Sequence, residues 1–83
     1  MAGLNTNIKR NKVNYHLQTE DKGKGINYVE TVVFKSGKVL FSRKSSYASF
    51  LNQPDLKEKI QELITKQHEE CLQEVSAGKF DHL

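Results

Sequence analysis

The chain has 83 residues, of which 36% are hydrophobic and 28% charged, with a net charge of +3 at neutral pH. These values describe one small, polar domain with a thin core, hiding roughly 60–65% of its unfolded surface, and exclude a collagenous or low-complexity chain. One cysteine, Cys71, cannot form an internal disulfide, so a disulfide-stapled scaffold is excluded as well.

Apolar runs such as Val32-Val33-Phe34 are far shorter than the roughly 20 residues a membrane span needs. The stretch Met1 to Asn7 lacks the apolar segment of a signal peptide, which makes the cytoplasm the expected compartment. Charge is divided along the chain. Residues 1–50 carry nine Lys or Arg against three acids, and residues 51–83 carry four Lys against seven acids. Such a layout suits nucleic-acid binding, or attraction between unlike halves of two copies.

Residues 1–12 place Lys9, Arg10 and Lys12 among Asn5, Asn7 and Asn11, and read as a flexible basic N-terminal arm. Residues 13–83 read as a single α+β domain. Val13, Tyr15, Leu17 and Thr19 alternate with polar residues, predicting a strand over about 13–20. Asp21-Lys22-Gly23-Lys24-Gly25 is a polar hairpin loop, and residues 26–35, rich in β-branched and aromatic side chains, predict a second strand. Ser36-Gly37 turns the chain into a third strand over about 38–44. Pro54 and Asp55 suit a helix start, and Leu56, Ile60, Leu63, Ile64, Gln67, Cys71 and Val75 recur at helical spacing up to Gly78. The expected fold is therefore a three-stranded antiparallel β-meander followed by one long C-terminal α-helix over about 54–77.

A Ser36-Gly37 turn pairs Phe34 with Val39, Val32 with Phe41, and Glu30 with Arg43, while closure of Glu20 on Ile26 pairs Leu17 with Val29 and His16 with Glu30. One sheet face then carries Val13, Tyr15, Leu17, Val29, Val33 and Leu40. The other carries Ile26, Tyr28, Val32, Phe34, Val39 and Phe41. A single helix covers one face, so Tyr28, Val32, Phe34, Val39 and Phe41 become the expected interface. The helix, about 36 Å long, would also overhang three strands only about 10–15 Å across. Both points favour a homodimer.

The runs Tyr15-His16-Leu17-Gln18-Thr19-Glu20-Asp21, Ser36-Gly37-Lys38-Val39 and Ser42-Arg43-Lys44-Ser45-Ser46-Tyr47 carry a resemblance. Over most of residues 13–83 the chain resembles a group of small uncharacterised bacterial proteins with a Tyr-x-x-Gln-Thr-Glu-Asp strand end and a glycine-containing hairpin. The resemblance implies one intact small domain and transfers no catalytic residue.

Candidate sites are few. His16, Glu30 and Arg43 would lie side by side in the register above, either as an anion or proton site or as a cross-strand charge ladder; the ladder is the simpler account. His68 and Cys71 share a helix face, but zinc needs about four ligands and no second pair exists, so a packed histidine and a buried thiol are expected, with no metal and no cofactor. Asp21 to Gly25 matches neither a calcium loop nor a phosphate loop. Lys9, Arg10, Lys12, Lys22, Lys24, Lys35 and Lys38, with Arg43 and Lys44, form the one basic set among aromatic residues, without any recognised nucleic-acid signature. The expected function is a non-enzymatic interaction module, a small homodimer or protein-binding partner. The alternative is a nucleic-acid-binding accessory protein that uses the basic set.

Overall fold

The computed structural model describes residues 3–83. Four strands, β1 (Gly3–Arg10), β2 (Val13–Asp21), β3 (Tyr28–Lys35) and β4 (Lys38–Ser46), form an antiparallel sheet in the order β1-β2-β3-β4. A 3-10 turn, Ala48–Phe50, leads to the single helix α1 (Leu56–Ser76). The α+β class, the antiparallel meander and the long C-terminal helix agree with the sequence reading, but among the described residues the strands number four, not three.

The additional strand lies where a basic arm was expected; Met1 and Ala2 of that arm are outside the described residues. Leu4, Thr6, Ile8 and Arg10 alternate with Asn5, Asn7 and Lys9, a period of two that pairs residue by residue with β2, from Gly3 opposite Glu20 to Arg10 opposite Val13. Asn11 and Lys12 make the two-residue turn, both at positive φ (49° and 67°). That is the hairpin geometry whose twist matches the strands, and asparagine tolerates it well.

The second departure is in register. The β2–β3 connection closes later than expected, pairing Asp21 with Val29 and Leu17 with Val33, so Ile26 and Asn27 belong to the loop. Asp21 Oδ1 accepts from the Gly23 amide at 2.9 Å, and the Lys22 amide donates to the Tyr28 carbonyl at 2.9 Å, which lengthens the closed loop. Between β3 and β4, Phe34 faces Val39 as expected. A bulge then leaves Leu40 without an opposite residue, and Val33 faces Phe41. One inserted residue turns the rest of β4 over. Phe41 therefore leaves the expected interface face and joins the helix-covered face, its ring 4.9 Å from that of Phe80.

The helix runs along the strands rather than across them. Its first half packs Ile64, with Leu56, Ile60 and Leu63, against Val29, Tyr47 and Leu4 near the β2–β3 loop. Its second half packs Cys71, Leu72 and Val75 against Tyr15, Leu17, Val33 and Ile8 near the two tight turns. Twenty-one residues span about 32 Å, close to the roughly 30 Å of a nine-residue strand. The expected overhang does not exist, and with it goes one of the two grounds for a dimer.

The helix ends at Gly78, whose φ is +81°, and the amides of Ala77, Gly78 and Lys79 return to the carbonyls of Gln73, Val75 and Glu74. A Cβ at residue 78 would also run into the Arg10 guanidinium. The tail folds back so that Phe80 is buried in the core while Leu83 stays exposed. Arg10 fastens it, with Nε and Nη2 on the two Asp81 carboxylate oxygens at 2.9 Å each and Nη1 on the Ser76 carbonyl at 3.0 Å. Lys35 Nζ donates to the main-chain oxygens of Phe80 and Leu83 at 2.9 and 2.7 Å. No helix among the described residues is long and apolar enough to cross a membrane.

Candidate functional site

Two regions combine chemistry-bearing side chains: a buried polar belt under the helix and the uncovered face of the sheet. The belt separates the two apolar clusters. Thr19 and Thr31 sit opposite one another on β2 and β3, both fully buried, their hydroxyls 2.7 Å apart. His68, only 4% exposed, bonds Thr19 Oγ1 through Nδ1 at 2.7 Å and Thr6 Oγ1 through Nε2 at 2.8 Å. Gln67 Nε2 donates to Thr31 Oγ1 at 3.0 Å and to the Arg43 carbonyl at 3.1 Å, and Ser45 Oγ donates to Gln67 Oε1. The belt thus ties the helix to all four strands.

The Arg43 carbonyl can only accept, which fixes the Gln67 amide nitrogen on that side. An arrangement that satisfies the chain has Gln67 donating to Thr31, Thr31 to Thr19, Thr19 to His68 Nδ1, and His68 Nε2–H to Thr6. Among the described residues no buried side-chain nitrogen or oxygen lacks a partner. The belt is a closed structural network, with neither a free donor nor a cavity for a substrate.

Cys71 lies beside the belt with no exposed surface, and burial pushes its thiol up, away from the reactive thiolate. His68 and Cys71 are therefore packed side chains. Both histidine nitrogens are occupied by hydroxyls, and among the described residues no group of three or more His, Cys, Asp or Glu could hold a metal.

Burial holds the His68 imidazole below its ordinary pKa of 6.5, against a smaller opposing pull from Glu69. The unfolded chain then takes up the proton first as pH falls, so stability due to this group is complete above about 6.5. It declines from there down to the folded pKa. Urea midpoints should consequently fall between pH 7.5 and 5.5, and His68→Gln should flatten that segment of the profile. An unchanged slope in the variant would show that another group sets it.

Residues of the Tyr15–Asp21 and Ser42–Tyr47 runs also belong to this framework. Tyr15 and Thr19 face the helix. Tyr47 donates to Asp21 Oδ1 at 2.5 Å, and burial together with that carboxylate raises the phenol to about 12. Arg43 grips both Glu74 oxygens at 2.9 and 2.8 Å and holds that carboxyl below its usual range.

The grouping of His16, Glu30 and Arg43 is dispersed. His16 faces Phe34, Glu30 faces Glu20 and Lys44, and Arg43 faces Thr31 on the helix side. The four-residue shift of β3 and the β4 bulge account for this.

The uncovered face presents a different chemistry. Tyr28, Val32 and Phe34 from β3 are half-buried, with Val39 beside Phe34 at 63% exposed. The expected interface thus retains four of its five residues, having lost Phe41. On the β1–β2 side the same face is amide-rich: Asn5 opposite Gln18, Asn7 opposite His16, and Lys9 opposite Asn14. His16 Nδ1 bonds Asn7 Oδ1 at 2.7 Å, and its ring lies 5.8 Å from that of Phe34, tilted by 45°. A shallow groove of about 430 Å³ beside these rings is lined by Asn7, Ile8, Lys9, Asn14 and Tyr15.

The seven expected nucleic-acid lysines and arginines do not form one stripe. Arg10 and Lys35 are engaged by the tail, and Lys22 sits 3.8 Å from both Glu20 and Glu30 at the loop end. Lys24 is in that loop. Lys9, Lys12 and Lys38 gather at the opposite end, at the two tight turns, and none has an ion-pair partner among the described residues. The β1 strand that completes this face was missed in the sequence. The signal available was the alternation of Leu4, Thr6 and Ile8.

No protein-family model, no curated protein and no solved structure matches the chain.

Proposed function

We propose that the protein is a non-enzymatic interaction module whose working surface is the uncovered face of the sheet. The observation that carries this reading is the contrast between the two faces. The helix and the returning tail bury the centre of one, where no buried side-chain nitrogen or oxygen among the described residues lacks a partner. The other leaves Tyr28, Val32 and Phe34 half-buried and Val39 exposed beside an amide-rich surface. Apolar side chains left on an exposed face are a binding surface in waiting, since they add little to the stability of the folded chain.

That difference is measurable without knowing the partner. Phe34→Thr should cost less than about 1 kcal/mol, the scale of a cross-strand pair. Leu17→Ala, on the covered face and fully buried, should cost about 2–5 kcal/mol. Comparable losses in urea denaturation would mean that Phe34 serves the fold and would remove the reading.

A homodimer is one arrangement that would use this surface. It is no longer required by an overhanging helix, and two copies pressed face to face would bury the amides of this face. Solution mass across a concentration series, with Phe34→Thr alongside, decides whether self-association is the use made of the face.

A further inference from the structure

Resting on the reading of the open face as the working surface, we infer that its turn end binds single-stranded nucleic acid. Bases would stack on the His16–Phe34 pair, meet the amides of Asn7 and Asn14 in the adjoining groove, and have their phosphates neutralised by Lys9 and Lys12. Three independent observations converge here.

The first is ring geometry. His16 and Phe34 sit on neighbouring strands with centroids 5.8 Å apart, and the tether from His16 Nδ1 to Asn7 fixes the imidazole on the face. Adjacent rings on an open antiparallel sheet are a platform for unstacked bases, which every base can use because each has a π-face.

The second is the groove beside them. Asn7 and Asn14 each bring an amide, with both donor and acceptor atoms suited to base edges, and Lys9 lies at the same rim. A protein partner recognised through apolar contact would leave these amides buried and unpaired, at a cost a nucleobase avoids.

The third is charge. Lys9 and Lys12 have no ion-pair partner among the described residues, whereas the acids of this face, Glu20 and Glu30, face each other at the far end of the strands. From His16 to Glu20 is four residues, about 13 Å along β2. The helix back, by contrast, carries Glu58, Glu62, Glu69 and Glu70 among exposed residues, so an anionic strand is steered to the sheet side. A duplex does not satisfy the same site, since its bases are already paired and stacked and cannot lie against the His16 and Phe34 rings.

The experiment is fluorescence anisotropy of the full chain with fluorescein-labelled ten-nucleotide strands, oligo(U) and oligo(dT), and a duplex of equal length. The single strands should bind. If the two phosphates at Lys9 and Lys12 are neutralised, affinity should fall about seven-fold between 50 and 200 mM salt. Phe34→Thr and the double change Lys9→Glu with Lys12→Glu should each weaken binding ten-fold or more, with thermal melts confirming that the variants fold. Lys66→Glu on the helix back should leave affinity unchanged.

No single-strand binding at 50 mM salt, equal or tighter duplex binding, or indifference to Phe34→Thr would each overturn the assignment. Light scattering on the same samples separates this from failure of the broader reading. A concentration-dependent dimer abolished by Phe34→Thr would retain the open face as the working surface while excluding nucleic acid as its occupant. A monomer that binds neither strand would overturn the assignment, and the open-face reading would then rest on the denaturation comparison above.

Discussion

Deleting residues 1–11 is expected to abolish cooperative folding, although the sequence presents residues 1–12 as a flexible basic arm. The deletion removes β1, and with it Leu4 and Ile8 from the two apolar clusters. It leaves His68 Nε2 buried without Thr6 and releases Asp81, the anchor of the tail that carries Phe80 into the core. A domain of this size has only about 4–12 kcal/mol in hand. Stranding a buried nitrogen alone costs about 1–3 kcal/mol. Each lost aliphatic contact adds to that, and β2 gains an unpaired edge. The measurement is a thermal melt followed by circular dichroism, expected to show a broad, non-cooperative change. A sharp melt at the original temperature would show that β1 is not part of the folding unit. Thr6→Val is the milder counterpart, expected to lower stability by about 1–3 kcal/mol with the melt still cooperative.

Replacing Gln67 by leucine should be the most damaging single change in the belt, although leucine has similar volume and suits a helix. Gln67 serves Thr31, the carbonyl of Arg43 and the hydroxyl of Ser45 at once. An apolar side chain leaves these groups facing hydrocarbon, at an expected cost of about 2–4 kcal/mol in urea denaturation. Gln67→Glu makes the sharper test. Its second oxygen would replace the amide nitrogen against the Arg43 carbonyl, an acceptor facing an acceptor, unless the carboxyl is protonated. The folded-state pKa of that glutamate would then be raised above its unfolded value. The variant's stability should be greatest below the unfolded pKa and fall as pH rises through the folded pKa, opposite in sign to the His68 contribution. A pH-independent deficit would mean that the position is hydrated rather than dry.

The candidate sites were unevenly legible. The apolar spacing from Leu56 to Val75 identified the helix and the residues it buries, including Cys71, because 3.6-residue periodicity is a local property. The Ser36-Gly37 turn likewise gave the Phe34–Val39 pair, as positive φ at both positions leaves little choice of hairpin. Everything that depended on counting further from a turn was vulnerable. One bulged residue, Leu40, moved Phe41 to the other face and separated Glu30 from Arg43. Nothing in Val39-Leu40-Phe41 announces a bulge, since all three are apolar and any two of them could face the core.

The belt was less visible still. Thr6, Thr19, Thr31, Ser45, Gln67 and His68 are unremarkable in isolation, and only their meeting under the helix makes them a network. Thr6 was hidden for a further reason. Its strand is rich in asparagine and lysine on the solvent side, so composition suggested an arm while the alternation of Leu4, Thr6 and Ile8 already described a half-buried strand.

By itself the sequence determined the α+β class, the antiparallel meander, the long helix with its inward face, and the absence of an internal disulfide. Each of these follows from local periodicity, turn chemistry or a count of residues. The tertiary structure alone decided that the basic N-terminal segment is an edge strand, that the helix lies along the sheet, and that a bulge assigns Phe41 to the core. It also decided that the tail takes up Lys35, while Lys9 and Lys12 have no ion-pair partner among the described residues. These outcomes rest on long-range pairing, where a shift of one residue reverses a strand's faces and a partner tens of residues away determines whether a polar group is buried or exposed.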